Sequence, residues 1–302
     1  MELLFELYGN EPPRSGALAP LLQAMCREYG CGRVVQGGTS LLGRPIPVLA
    51  VGSPRAPVLM AGGVHGSEWL TVLLLLRFAE DVLQSLRSGQ PLAGADLGRC
   101  LARRGLLVLP CLNPDGTEIA LHGPGAAGRL AGLVQGLWQP GCLWQANARG
   151  VDLNHNFDAG WQELRRLERQ QGIRGPGPAR YGGGSPHSEP ETRAAVGLCR
   201  RWGAGAVYAF HSQGEEIYYS YGPRTPRRAR LMADLLAGCC GYTVAQPTGT
   251  AAHGGFKDWF IAETGRPGFT FEIGRGQNPL PARELLPIYA RLLEALAAAV
   301  VL

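Results

Sequence analysis

The sequence contains no apolar run long enough to cross a membrane. Its longest aliphatic stretches, 70–76 and 295–302, are well short of the ~18 residues that a transmembrane helix needs. Residues 1–7 carry glutamates where a signal peptide has basic residues, and no apolar core segment follows them, so we expect no secretory signal. We therefore expect no membrane partner and a cytoplasmic location.

A long basic block is absent as well. The net charge is only +5, and the arginines are spread along the chain in short groups such as 165–166 and 227–228. Short groups of this kind are typical of a solvated surface, whereas a nucleic-acid-binding face concentrates its positive charge. We expect no nucleic-acid partner.

The eight cysteines form no C-x-x-C pair and no regular framework of the kind that disulfide-rich proteins have. Several of them lie among apolar residues, as small core side chains do. This usage is typical of a reducing compartment and supports the cytoplasmic location.

Short apolar runs alternate with amphipathic stretches through the whole sequence, and 45% of the residues are hydrophobic. The apolar runs are bounded by glycine, proline or polar residues, as buried strands are. The predicted strands are 46–51, 58–62, 106–112, 205–210 and 268–273. The predicted helices are 16–29, 68–87, 189–202, 226–239, 255–263 and 282–300.

Strands separated by helices indicate an α/β fold with a mixed, mostly parallel twisted sheet and helices on both faces. The Gly- and Pro-rich stretches 123–150 and 172–188 lack clean periodicity, so we expect them to be long surface loops. No repeat and no linker between separate cores is visible. Residues 1–302 are therefore expected to form a single domain.

Residues 65–68 (His-Gly-Ser-Glu) follow directly on a predicted strand. His65 and Glu68 are three positions apart, so both can reach one ion from the same helix face or turn. Catalytic Zn²⁺ usually takes three protein ligands from His, Glu and Cys and keeps a fourth position for water. By itself an H-x-x-E string is a weak signal, because chance or the start of a helix explains it at least as well.

Two more candidates lie at or near the ends of other predicted strands. His211 follows the run 206–210, and Glu272 lies inside an apolar strand, where a carboxylate is costly unless it is paired or functional. Open α/β sheets assemble their sites at the carboxyl ends of strands. A core histidine and a buried salt bridge would explain each residue alone, but not the setting that both share with His65 and Glu68.

Two polar strings belong to the same edge: 113–116 (Asn-Pro-Asp-Gly), a strong turn signal, and 149–157, which places polar groups among apolar ones. Together with the H-x-x-E string, His211 with its following serine, and the Phe-Thr-Phe-Glu strand, they resemble the zinc carboxypeptidases of the M14, carboxypeptidase A-like, family. The strings occur in the family's order and cover most of the chain.

The resemblance implies that His65, Glu68 and His211 hold one zinc ion. Glu272 would be the general base and then the acid that protonates the leaving amine. Asp152 matches the carboxylate that orients the first histidine ligand. Zinc lowers the pKa of its bound water towards about 7 and polarises the scissile carbonyl, so neither a covalent intermediate nor a G-x-S-x-G elbow is needed.

The sequence departs from the family where the substrate's terminal carboxylate is bound. Digestive-type relatives have an arginine at the position of His155, and an imidazole does not replace that bidentate fork without loss. His155, beside Asn154, can still donate a hydrogen bond in a charge state that depends on pH. Near the position where the relatives have the arginine that polarises the carbonyl, this sequence has Gln145, with Arg149 as the alternative.

A second departure concerns the specificity pocket. Residues 254–259 resemble the family segment that forms its floor, and Lys257 falls on the selecting position. A cation there calls for a carboxylate on the substrate side chain, whereas an isolated lysine is ordinarily a solvated surface charge. The family's flexible tyrosine is also missing, since Thr250 stands at its place. The possible substitutes are Tyr218, Tyr219 and Tyr242.

The string 154–161 looks most like the γ-D-glutamyl-meso-diaminopimelate peptidase branch, whose enzymes cut cell-wall muropeptides. The side chain of meso-diaminopimelate ends in a second amino-acid centre and so supplies the carboxylate that Lys257 calls for. We therefore expect a zinc-dependent enzyme that hydrolyses this bond in a peptide or muropeptide, with residues 1–302 as its catalytic domain.

Three alternatives stay open. The first is a zinc amidohydrolase of the aspartoacylase or desuccinylase type, which cleaves N-acyl amino acids. The second is a metallocarboxypeptidase for acidic C-terminal residues. The third is a non-catalytic binding protein on the same scaffold. The sequence gives no prediction of the oligomeric state.

Overall fold

The computed structural model describes residues 11–139 and 141–302, so the N-terminal residues 1–7 lie outside the described part. The strands in this part are β1 (Arg33–Thr39), β2 (Pro45–Gly52), β3 (Val58–Ala61), β4 (Gly105–Leu109), β5 (Ala206–His211), β6 (Glu216–Tyr218), β7 (Thr243–Ala245) and β8 (Gly268–Glu272). They join in one sheet in the order β1-β2-β4-β3-β5-β8-β6-β7. The four central strands, β4, β3, β5 and β8, are parallel to one another, and antiparallel pairings flank them on both sides.

The α-helices in the described part are α1 (Leu18–Tyr29), α2 (Leu70–Ser88), α3 (Leu97–Leu101), α4 (Pro114–His122), α5 (Ala131–Leu137), α6 (Trp161–Gln170), α7 (Pro190–Trp202), α8 (Arg228–Cys240), α9 (Phe256–Thr264) and α10 (Leu285–Val301). None of them is both long and apolar enough to cross a bilayer.

Alternate residues of each central strand pack on opposite faces of the sheet. In β3, Val58 and Met60 belong to one apolar core, whereas Leu59 and Ala61 belong to another. Helices α1, α2, α8 and α10 close the first core, and α7 and α9 close the second. The predicted class, a mixed and mostly parallel sheet with helices on both faces, is confirmed.

All five predicted strands and all six predicted helices are present, with ends that differ by a few residues. The strands that the sequence did not predict are β1, β6 and β7. Two of these are only three residues long, and β1 is partly exposed and contains a Gly-Gly pair, so none of them has a continuous apolar run. A strand without such a run gives no periodicity to detect.

The prediction of an irregular loop over 123–150 is partly wrong. Residues Pro124–Leu130 form 3₁₀ turns and α5 follows them, although glycines interrupt the helical pattern. The predicted turn at Asn-Pro-Asp-Gly opens α4, with its proline in the first turn. Helix α6 was also missed, because only three of its ten residues are apolar. The stretch 172–188 is free of helix and strand, as expected.

All eight cysteine thiols are free, and Cys111, Cys199 and Cys240 are buried in apolar surroundings, as the sequence indicated. The parallel strands β3, β5 and β8 all end at the same edge of the sheet, and Cα pairing sets His211 opposite Glu272. That edge is where an open α/β sheet places its site.

Candidate active site

The turn that carries His65 follows β3 directly. A side chain at Gly66 would collide with the carbonyl of Gly116, so the close approach requires glycine. The buried amide of Asn113 supports the same contact: it donates to the carbonyl of Val64 over 3.0 Å and accepts from the Gly116 amide over 2.8 Å. The Asn-Pro-Asp-Gly string therefore caps α4 and holds the histidine turn in place.

Three side chains converge at this edge of the sheet. Nδ1 of His65 lies 2.8 Å from one carboxylate oxygen of Glu68, and Nδ1 of His211 lies 3.1 Å from the other. The two Nδ1 atoms face each other at 3.3 Å. Two imidazole nitrogens and one carboxylate form the donor set of a catalytic zinc site, so these residues fit the predicted ion.

Asp152 lies behind His65 and contacts its second ring nitrogen, with 3.1 Å between Oδ1 and Nε2. The carboxylate also accepts hydrogen bonds from the main-chain amides of Asn154 and Arg180, over 3.0 and 2.9 Å. Burial raises the pKa of Asp152, but the charges of His65 and His155 and the hydrogen bonds with His65 and with the Arg180 amide outweigh burial and hold the pKa well below its ordinary value. An ionised carboxylate that fixes a ring in this way is the common partner of a metal-bound histidine.

Glu272 ends β8 beside this cluster. Burial raises its pKa to about 8, and the charges of Glu68 and Glu216 act in the same direction. Burial also raises the pKa of Glu68, but His65 and His211 outweigh burial and lower that pKa to about 2. A carboxyl group that titrates near neutrality is suited to accept and return a proton, whereas Glu68 is suited to remain an anionic ligand.

These groups open into one cavity of about 130 Å³. The predicted metal ligands and Glu272 line it together with Asn154, His155 and Lys257, so most of the predicted site residues meet here. Arg149 and Gln145 are not among its described lining residues. The Arg149 guanidinium lies 3.5 Å from the carboxylate of Glu189, and the Gln145 carbonyl accepts a hydrogen bond from a main-chain amide of the histidine turn.

Lys257 is 3% exposed, so the alternative of a solvated surface charge is wrong. Its ammonium donates to the carbonyl of Ser220 over 2.8 Å and to the carboxylate of the neighbouring Asp258, which also lines the cavity. Burial raises the pKa of Asp258 above its ordinary value, although the positive charge of Lys257 lowers it in part. Lys257 is also the only lysine in the sequence. The cavity thus contains a buried ammonium beside a buried carboxylate.

Asp258 and Glu168 are two residues of this region that the sequence did not single out. Asp258 follows Lys257 directly in a string that had already been noticed, so its signal was available. Glu168 is fully buried in α6, and its carboxylate lies 2.9 Å from Nδ1 of His155. Nothing in the family-like strings pointed to Glu168, because the fold alone brings α6 to this place.

Of the tyrosines considered for the missing family residue, Tyr218 lines the cavity, and its hydroxyl lies 2.6 Å from the carboxylate of Glu216. Tyr219, Tyr242 and Thr250 are not among the described lining residues. Tyr218 is therefore the candidate that the structure places within reach of a bound molecule.

Comparison with known proteins agrees with this geometry. The model of the zinc carboxypeptidase family, peptidase family M14, matches residues 21–295. A γ-D-glutamyl-L-diamino acid endopeptidase 1 from Lysinibacillus sphaericus is 34% identical over 260 residues, covering 85% of this chain and 64% of that protein. Bovine carboxypeptidase B is 25% identical over 279 residues, covering 83% of this chain and 60% of that protein. The chain thus spans less than two thirds of the length of these two relatives.

Solved structures of low sequence identity have the same fold. Bovine thrombin-activatable fibrinolysis inhibitor, solved with a tick carboxypeptidase inhibitor, superposes with a TM-score of 0.71 at 22% identity, covering 99% of this chain and 96% of that chain. A murein-tripeptide amidase from Escherichia coli O157 superposes with a TM-score of 0.56 at 23% identity, covering 96% and 97%.

Proposed function

The chain belongs to the zinc carboxypeptidase family, and from this premise we propose that it is a zinc-dependent peptidase that hydrolyses γ-D-glutamyl-meso-diaminopimelate bonds in peptides or muropeptides. The observation that carries the proposal is the buried Lys257–Asp258 pair in the same cavity as the metal-binding cluster. The name of the Lysinibacillus relative, a γ-D-glutamyl-L-diamino acid endopeptidase, supports the same bond.

His65, Glu68 and His211 are the residues that would hold the ion, with Asp152 orienting the first ring. When bound, zinc supplies a water of lowered pKa and polarises the scissile carbonyl. Glu272 lines the cavity beside these ligands. Its carboxylate takes the proton of the attacking water and then returns a proton to the leaving amine.

The charged pair in the cavity explains the choice of diamino acid. A side chain that ends in an amino-acid centre carries both an ammonium and a carboxylate. Lys257 pairs with that carboxylate, and Asp258 pairs with that ammonium. Each of the two buried charges then has two charged partners instead of one. A lysine side chain would satisfy only Asp258, and a glutamate side chain would satisfy only Lys257. The pair therefore favours diaminopimelate over either of them.

Asn154 and His155 form the part of the cavity that would receive the carboxylate next to the cleaved bond. The carbonyl oxygen of the Asn154 side chain accepts from the Phe256 amide over 3.1 Å, which fixes the orientation of its NH₂ group. His155 supplies the second donor. This assignment places the diamino acid on the leaving side of the scissile bond, with the γ-glutamyl group on the other side.

The experiment is a substrate comparison with zinc-loaded protein. The four substrates are γ-D-glutamyl-meso-diaminopimelate, γ-D-glutamyl-L-lysine, a blocked peptide ending in glutamate, and N-acetyl-L-aspartate. We expect kcat/KM for the first to exceed that for the others by roughly 10-fold or more, since one buried charged hydrogen bond has about this value. The matched control is zinc-loaded Glu272→Gln, which should cleave each of them roughly 10²-fold more slowly or worse.

Each competing function predicts a different result in the same experiment. Preference for the glutamate peptide would identify a carboxypeptidase for acidic residues, and preference for N-acetyl-L-aspartate would identify an amidohydrolase. Binding of the first substrate without cleavage would identify a non-catalytic binding protein. Any of these three results contradicts the proposal.

A further inference from the structure

The orientation of His155 is fixed by two acceptors on the same ring nitrogen. Its Nδ1 lies 2.9 Å from a carboxylate oxygen of Glu168 and 2.9 Å from the carbonyl oxygen of Arg180. Neither oxygen can donate, so the proton of the neutral ring lies on Nδ1. No described residue is hydrogen bonded to Nε2, and His155 lines the cavity. Nε2 is therefore the atom left for a bound molecule.

Glu168 is itself held rigidly. The residue is fully buried in α6, and its carboxylate accepts hydrogen bonds from the Arg165 guanidinium and from the Gly182 amide, the latter over 3.3 Å. The guanidinium of Arg165 in turn stacks on the ring of Tyr181, 4.5 Å from its centroid. A carboxylate fixed on three sides cannot turn away from the imidazole, so it sets both the ring plane and the tautomer.

Several charged groups surround the imidazole of His155. Asp152, on its own chain segment, and Glu168, from α6, are negative. Arg165 is positive and is paired with Glu168, while Lys257 and Asp258 from α9 line the same cavity as a neutral pair. The metal-binding cluster and Glu272 also line this cavity. Because the carboxylate of Glu168 lies on the Nδ1 side of the ring, a substrate carboxylate at Nε2 would place the imidazole between two carboxylates.

We propose that Glu168 is a positioning residue that holds His155 with Nδ1 protonated and Nε2 facing the cavity, so that the ring binds a substrate carboxylate as an imidazolium. The proposal rests on the proposed function, because it assigns the partner of His155 as the carboxylate next to the cleaved bond. A buried Glu–His pair thereby takes the place that an arginine fork has in digestive-type relatives.

The kinetic test uses γ-D-glutamyl-meso-diaminopimelate with the carboxyl group next to the cleaved bond either free or converted to the carboxamide. Glu168→Gln should raise KM for the free acid roughly 10- to 100-fold, the value of a charged hydrogen bond, and leave KM for the carboxamide and both kcat values nearly unchanged. Equal changes in KM for both substrates, or no change, would overturn the proposal.

The matched control is Glu163→Gln. Glu163 lies on the same helix and pairs with an arginine three positions away, as Glu168 does, but it is exposed and forms its ion pair with Arg166. This variant should have the KM values of the unaltered protein for both substrates. A similar rise of KM in Glu163→Gln would mean that α6 acts only through its general stability.

A second measurement needs no turnover. In the ¹⁵N NMR spectrum of the zinc-loaded protein, the ring of His155, assigned by its loss in His155→Gln, should carry its proton on Nδ1. Free meso-diaminopimelate should protonate Nε2, and its diamide should not. An Nε2–H tautomer, or equal responses to both probes, overturns the inference. If no peptide is cleaved but these signals are as expected, the proposed function fails and the inference stands.

Discussion

The cavity has two walls that are built in different ways. On one wall His65, His211 and Glu272 stand at or just beyond the ends of parallel strands, and main-chain pairing sets the spacing of those strands. On the other wall His155 and Lys257 come from an irregular segment and from the start of α9, and side-chain contacts to buried carboxylates hold them. The first wall is positioned by the sheet, and the second by individual ion pairs.

This difference in construction corresponds to a difference in role: the first wall carries out cleavage, and the second selects the substrate. Groups fixed by a sheet keep their geometry when one neighbouring side chain changes, because many backbone hydrogen bonds hold the strands that carry them. Groups fixed by one or two side-chain contacts change their orientation when one of those partners is lost. Substitutions on the first wall should therefore alter the rate of the reaction, and substitutions on the second should alter which molecules react.

The largest effect is expected from Glu272→Gln. The amide keeps the volume of the side chain but cannot take a proton, so kcat should fall by roughly 10²- to 10⁴-fold, the usual value of a general base. Zinc content, measured by mass spectrometry of the purified protein, and KM should change little. A variant that retains more than a few per cent of the activity would contradict the role of Glu272. It would also contradict the assignment of cleavage to the first wall.

Asp152→Asn tests the residue that lies behind His65. Its charge holds the ring of His65, so the zinc dissociation constant, measured by competition with a chelator, should rise by roughly 10- to 100-fold. The matched control is Asp158→Asn, because Asp158 is exposed in the same segment and lies outside the cavity lining. An unchanged zinc affinity in Asp152→Asn would show that the sheet alone orients the metal-binding ring.

The smallest of these effects is expected from Lys257→Met, which removes the ammonium and keeps much of the volume. KM for a substrate side chain that ends in an amino-acid centre should rise by about 10-fold, whereas KM for an apolar side chain should not rise. The variant leaves Asp258 buried without its partner, so Lys257→Met/Asp258→Asn, which removes both charges, serves as the stability control. Equal changes for both substrates would contradict the role of this wall in selection.

The sequence predicted the first wall far better than the second. His65, Glu68, His211 and Glu272 follow or interrupt apolar strands, and those strands have a strong periodic signal. Their convergence then follows from the rule that parallel strands end at one edge. The central strands and the main helices were predicted for the same reason, since each buries a continuous apolar run or stripe.

The second wall depends on contacts between residues that are distant in the sequence and lack a periodic pattern. Glu168 meets His155 because a polar helix folds back on the irregular segment, and no local pattern encodes that approach. Arg149 was expected near the substrate from its position in a string, but the fold turns its guanidinium towards Glu189. Asp258 was adjacent to a residue already singled out, and only burial distinguished it from an ordinary surface carboxylate.

The position of Lys257 also makes the cavity accessible to spectroscopy without any engineering. Because the sequence has no other lysine, protein grown with isotope-labelled lysine contains a single ε-ammonium group, and that group lies beside the proposed substrate. Its resonance therefore needs no assignment. Any ligand that enters the cavity, and any proton that Asp258 gains, will be read from one signal in a 302-residue chain.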